Sequence, residues 1–284
     1  MIETSHLHYR YGPKSPAVFE DLTFHLEPGR VYGLLGKNGT GKSTLLHLLS
    51  GLLFPQQGSV KYRGMEMRER RPEALRDLYL LPETFRLPNV SLKRYVKLNA
   101  SFYPNYSETL LRGCLNEFDL PFDVTLGELS MGQQKKVVLS FALATNTPLL
   151  LLDEPSNGLD IPSKSQFRRA VARAMTDERT VVISTHQVAD VETLIDRVAI
   201  IDGARLLFDR RVEDITQRLA FRMVESGETA QPLYSQHVLG GDAGVFVKQA
   251  GEEETKLNLE LLFNAALTAG DKLDQIFTDI KNGK

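Results

Sequence analysis

Gly36-Lys37-Asn38-Gly39-Thr40-Gly41-Lys42-Ser43-Thr44 is the stretch that decides how this chain folds. It fits the pattern G-x-x-x-x-G-K-[ST], with Gly36, Gly41, Lys42 and Ser43 at the fixed positions. The spacing has a physical reason. Glycines let the backbone curl until successive N–H groups point at one phosphate chain, and a side chain there would block the approach. Lys42 supplies a positive point charge to the outer phosphates, and Ser43 a hydroxyl for Mg²⁺. Asn38, Gly39 and Thr44 complete the loop and belong to the same nucleotide-binding set. The flanks supply the required context. Val31-Tyr32-Gly33-Leu34-Leu35 reads as a short buried strand, Leu45, Leu46, Leu48, Leu49 and Leu52 fall at helical spacing, and Gly51 is a candidate helix end. A helix beginning at the loop aims its N-terminal dipole at the same anion.

A second anchor lies at Leu149-Leu150-Leu151-Leu152-Asp153-Glu154-Pro155. Four apolar residues predict a strand covered on both faces, and the two acids then stand at its carboxyl end, where ligands sit in open α/β sheets. Asp153 is placed to hold Mg²⁺ through water, and Glu154 to polarise an attacking water or accept its proton. Thr180–Ser184 reads as a neighbouring strand ending in Ser184-Thr185-His186, from which His186 could reach a terminal phosphate. In Leu129-Ser130-Met131-Gly132-Gln133-Gln134-Lys135-Lys136, Ser130 suits a helix N-cap, and Gly132 allows close backbone approach to an anion. Strands alternating with helices predict an α/β core.

Composition narrows the class. The 284 residues are enough for one large or two small domains. With 42% hydrophobic and 25% charged residues the chain reads as an ordinary globular protein, and a net charge of −2 argues against a broad footprint on nucleic acid. The one cysteine, Cys114, cannot form an internal disulfide and reads as a half-buried helix residue. No run of eighteen apolar residues occurs and the N-terminus lacks the pattern of a secretory signal, so a cytoplasmic location is expected.

Outward from the anchors, residues 5–11 and 17–26 alternate and read as two strands, and Val60-Lys61-Tyr62 marks another pair. From about 90 to 145 the pattern is helical, and a polar helix is expected around 163–176. After about 212, Phe221–Val224 and Gly244–Val247 read as strands and Leu257–Ala266 as a helix, a small accessory α+β unit. His6 and His8 read as a solvated strand face, and no internal repeat or low-complexity tract is present.

Taken in order, these motifs resemble the ATP-binding subunit of an ATP-binding cassette (ABC) transporter. The order runs from an aromatic residue before Gly12 through loop 36–44, Leu81-Pro82-Glu83 and Leu129–Gln133 to Asp153-Glu154, Ser156-Asn157-Gly158-Leu159-Asp160 and His186, covering roughly residues 1–210. The resemblance implies a P-loop NTPase ABC-cassette fold with a helical subdomain at about 84–145, an antiparallel β subdomain and a small C-terminal α+β extension. The division is 1–211 for the cassette and 212–284 for the accessory region. It implies ATP and Mg²⁺ as ligands, Tyr11 stacked on adenine, and Lys42, Glu154 and His186 as the catalytic groups. Ser43, Asp153 and Glu83 would hold the metal. Ser130, Gly132 and Gln133 would reach ATP held by a second subunit, in a homodimer or a pair of cassettes, beneath an integral membrane permease and without nucleic acid. Two departures stand out: Glu83 replaces the usual glutamine, and Met131 replaces the first signature glycine. The overall look is that of bacterial exporter subunits of the antibiotic or bacitracin type. The rival reading is a non-transport ABC ATPase acting on ribosomes or DNA. The single cassette and the short gap from Thr44 to Leu129 speak against it.

Overall fold

The computed structural model describes residues 1–225, 230–249 and 251–278. The chain opens with β1 (Ile2–Tyr9), β2 (Phe19–Leu26), β3 (Val31–Leu35) and α1 (Lys42–Leu49). It continues through β4 (Gln57–Tyr62), β5 (Met65–Glu66), the single-turn α2 (Pro72–Leu75) and β6 (Leu78–Leu81). Three helices follow, α3 (Leu92–Asn99), α4 (Glu108–Glu117) and α5 (Met131–Ala144). Then come β7 (Leu149–Asp153), α6 (Ile161–Ala174), β8 (Thr180–Thr185), β9 (Arg197–Asp202) and β10 (Arg205–Arg211). The last elements are α7 (Val212–Arg218), β11 (Leu219–Met223), β12 (Tyr234–Val238), β13 (Gly241–Val247) and α8 (Leu259–Thr278), which kinks at Ala269.

Three sheets result. A six-stranded sheet has the order β10-β9-β3-β8-β7-β6, parallel except for the antiparallel edge β10. An antiparallel sheet of order β2-β1-β4-β5 adjoins it, joined where the Glu20 N–H donates to the Ala204 carbonyl at 3.0 Å. The third sheet, β11-β13-β12, is antiparallel and carries α8 beside it.

The parallel strands explain why their sequences lack alternation. Every residue of β3, β7 and β8 is buried, because helices or sheet cover both faces. Successive side chains still part company. Leu150 and Leu152 enter one apolar cluster with α4, α5 and α6, whereas Leu149 and Leu151 enter another with α1 and the antiparallel sheet. The register brings the ends of β3, β7 and β8 together, with Leu35 opposite Thr185 and Asp153 opposite Ser184. The segments that follow these strands are the ones the sequence marked.

Some expectations are corrected. Cys114 is fully buried on α4 rather than half-buried, packed among the helices. Burial pushes its thiol up to about 11. A disulfide-exchange reagent at pH 8 is therefore expected to leave the native protein unmodified and to titrate one thiol once the chain is denatured; rapid native reaction would contradict this packing. β6, β9, β10 and β12 were not anticipated. The predicted division at 211/212 falls between β10 and α7, and apolar packing crosses it. Leu257, Leu259, Leu262 and Phe277 belong to the cluster that holds Phe208 and Val181, and the Phe277 and Phe208 rings meet edge-on at 5.5 Å.

Candidate functional site

At the carboxyl ends of the parallel strands lies a cleft of about 560 Å³. The loop after β3 forms one wall, contributing Asn38, Gly39, Gly41, Lys42, Ser43 and Thr44. Gly39 and Gly41 have φ of 82° and 101°, angles that favour glycine, and a Cβ on Gly41 would come within 2.7 Å of Val18 and 2.9 Å of Phe19. Helix α1 starts at Lys42, so its first N–H groups lack partners within the helix and face the cleft. The Lys42 ammonium lies across the loop, donating to the Gly36 carbonyl at 2.8 Å and the Lys37 carbonyl at 3.1 Å. Gly36 thus stands behind the cleft wall rather than in it. Burial holds the Lys42 pKa below its ordinary value, although Glu154, Asp153 and Glu83 pull it the other way.

Glu154, Glu83, Asn157 and His186 form the facing wall. Glu154 sits just past β7 at φ 44°, a left-handed conformation uncommon outside glycine. Its N–H donates to the Ser184 carbonyl at 3.0 Å and to Ser184 Oγ at 3.2 Å. Its Oε1 accepts the His186 N–H at 3.1 Å, lies 2.8 Å from His186 Nδ1, and stands 3.8 Å from Lys42 Nζ. Its Oε2 is buried and has no hydrogen-bond partner. Asp153 is buried behind this wall, where it accepts the Ser184 hydroxyl. Glu83 Oε1 accepts the Asn157 side-chain amide at 3.0 Å. Ser43 and Glu83 line the cleft, and Asp153 is buried behind it at the end of β7. Such a hard, all-oxygen set suits Mg²⁺.

Tyr11 stands at the cleft mouth, 64% exposed, with its hydroxyl 2.7 Å from Thr44 Oγ1. Tyr9 packs edge-on against it at 5.2 Å but is itself buried, so of the two rings only that of Tyr11 is open to a ligand. Ser130, Gly132 and Gln133 lie elsewhere, at the start of α5. There Ser130 and Gln133 close a reciprocal capping box, each side chain taking the other residue's N–H at 3.3 and 3.0 Å. A Cβ on Gly132 would meet nothing nearer than the Gly158 carbonyl at 3.9 Å, so this surface is open.

The family model described as ABC transporter matches residues 19–157. The Nod factor export ATP-binding protein I of Burkholderia thailandensis is 30% identical over 210 residues, 72% of this chain and 68% of that one. The chain belongs to the ABC transporter family. The bacitracin transport ATP-binding protein BcrA of Bacillus licheniformis is 28% identical over 246 residues, 84% of this chain and 79% of its own. A solved structure of the ATP-binding subunit of an ABC transporter superposes with a TM-score of 0.68 at 27% identity, covering 76% of this chain and 92% of that one.

As an ABC ATPase the protein binds ATP and hydrolyses it to power transport. No helix among the described residues is long and apolar enough to cross a membrane. Sequence reading missed three participants of the ABC site. Ser184 bridges Asp153 and Glu154, Asn157 links Glu83 to the Glu154 main chain, and the Lys135 ammonium reaches the Glu154 carbonyl at 2.8 Å. Each lies within a motif, but nothing local signals a side-chain bond to a residue 19 to 74 positions away.

Proposed function

We propose that two such cassettes, identical or paired with a related subunit, work beneath an integral membrane permease at the inner face of the cell membrane and drive export. The closeness of Glu154 Oε1 to both His186 Nδ1 and Lys42 Nζ carries the catalytic part of this reading. The triphosphate would lie along the N–H groups from Gly39 to Thr44, with Lys42 turned from the loop carbonyls towards the outer phosphates. Ser43, Asp153 and Glu83 would hold Mg²⁺, which when bound neutralises charge on the phosphates. Glu154 orients the attacking water and takes its proton, while His186 fixes the Glu154 carboxylate and contacts the terminal phosphate. Ser130, Gly132 and Gln133 would complete the site of the paired cassette, a role that the exposed Ser130 and Gln133 and the open space beside Gly132 permit. Residues 11–186 hold every group in this scheme, which leaves 212–284 as an accessory region whose Leu257, Leu259, Leu262 and Phe277 pack on the cassette.

Export rests on the names of the relatives, one for Nod factor export and one for bacitracin transport. Affinity purification from native membranes tests the assembly: a co-purifying multi-span membrane protein supports it, and recovery on ribosomes or nucleic acid opposes it. Adenine stacking on Tyr11 has its own test. Tyr11→Ala is expected to raise the KM for ATP about tenfold with kcat little changed, the size of one lost aromatic stack. An unchanged KM would remove Tyr11 from the site.

A further inference from the structure

We infer that Lys135 is a positioning residue, which through its hydrogen bond to the Glu154 carbonyl fixes the left-handed backbone that presents the Glu154 carboxylate to His186. The inference rests on the reading of Glu154 as the catalytic carboxylate.

Lys135 is on α5 and only 6% exposed, an unusual place for a lysine, whose ammonium normally reaches water at the end of its long stem. Its Nζ goes to a main-chain oxygen, the Glu154 carbonyl, at 2.8 Å. That oxygen also accepts the Asn157 N–H at 3.2 Å. On the other side of the residue, the Glu154 N–H is tied to Ser184. A non-glycine residue at φ 44° persists only where its surroundings over-determine it. Ser184 on β8 and Asn157 in the following turn supply part of that constraint. Lys135 supplies the part that comes from the helical layer.

Its origin matters. The helix bearing Lys135 begins at the Ser130 cap and Gly132, and Gly132 faces the Gly158 carbonyl in the turn that follows Glu154. A shift of α5 would therefore be felt at the Glu154 backbone through one hydrogen bond. Glu83 joins the same network through Asn157. Burial lowers the Lys135 pKa, against the opposite pull of Glu83, Glu154 and Asp153.

Lys135→Met keeps the length of the side chain and removes both donor and charge. ATP affinity, thermal midpoint, kcat and KM are measured for this variant, for Lys135→Arg and for Glu154→Gln. The expected result is a kcat at least about tenfold lower in Lys135→Met with ATP affinity and midpoint held, and recovery of most of that loss in Lys135→Arg. If the methionine variant does not accumulate folded, Lys135→Gln is read by the same criteria. A wild-type kcat in Lys135→Met beside an inactive Glu154→Gln overturns the inference alone. Wild-type turnover in Glu154→Gln instead overturns the reading of Glu154 on which it rests. Affinity and midpoint falling in step with kcat would mark a packing defect, and that also overturns it.

Discussion

Glu154→Gln is expected to bind ATP about as well as the unaltered chain and to hydrolyse it about 10²- to 10⁴-fold more slowly, the usual share of a positioned general base. The amide keeps the size of the carboxylate, and its oxygen can still accept the His186 N–H that Oε1 accepts at 3.1 Å. It loses the basicity needed for the proton of the attacking water. It also loses the negative charge 3.8 Å from Lys42 Nζ, so a triphosphate meets less repulsion. Binding without turnover predicts a further sign. With ATP and Mg²⁺ the variant should run as a stable dimer in size-exclusion chromatography, whereas the hydrolysing protein should not. Phosphate release at the normal rate would exclude Glu154 as the catalytic carboxylate.

Lys42→Met is expected to weaken ATP binding by about 10²-fold, as suits the loss of charge-assisted hydrogen bonds to phosphate. A pH series makes the test specific. Burial depresses the Lys42 pKa in the free site, and a bound triphosphate would raise it. Binding therefore favours the protonated amine. Below the depressed pKa the amine is already charged and affinity is at its plateau. As pH rises through that value towards the higher pKa of the complex, binding must take up a proton and affinity falls. Titrations of ATP across this range should show the decline in the unaltered chain and not in Lys42→Met. The comparison isolates Lys42 from Lys135, whose pKa burial also lowers. Parallel pH profiles in the two proteins would mean that Lys42 does not meet phosphate.

Much of this was legible because it is local. The phosphate loop, its flanking strand and helix, and the run Leu149–Asp153 are each fixed by neighbours within a few residues. The Ser130–Gln133 capping box could have been read from its three-residue spacing, since that spacing alone sets which N–H each side chain reaches. β6 was harder. Leu78-Tyr79-Leu80-Leu81 is four residues long and sits at the sheet edge, where its pairing with β7 is decided by residues 71 positions away. Cys114 looked half-buried because no sequence signal shows that α5 and α6 both pack on α4. The left-handed Glu154 and its ties to Ser184 and Lys135 were invisible for the same reason, being products of tertiary contact rather than of propensity.

The division of β7 between two apolar clusters has a consequence for motion. Sliding or tilting this strand would disturb Leu150 and Leu152 on one face and Leu149 and Leu151 on the other, so neither half of the molecule can move it alone. Its amide protons should exchange with solvent only when the whole fold opens, among the slowest in the chain. The two carboxylates at its end thus start from a fixed datum. Motion during an ATP cycle then falls to the loops and to α5, and it reaches Glu154, one residue past the strand, through Lys135 while Asp153 stays still.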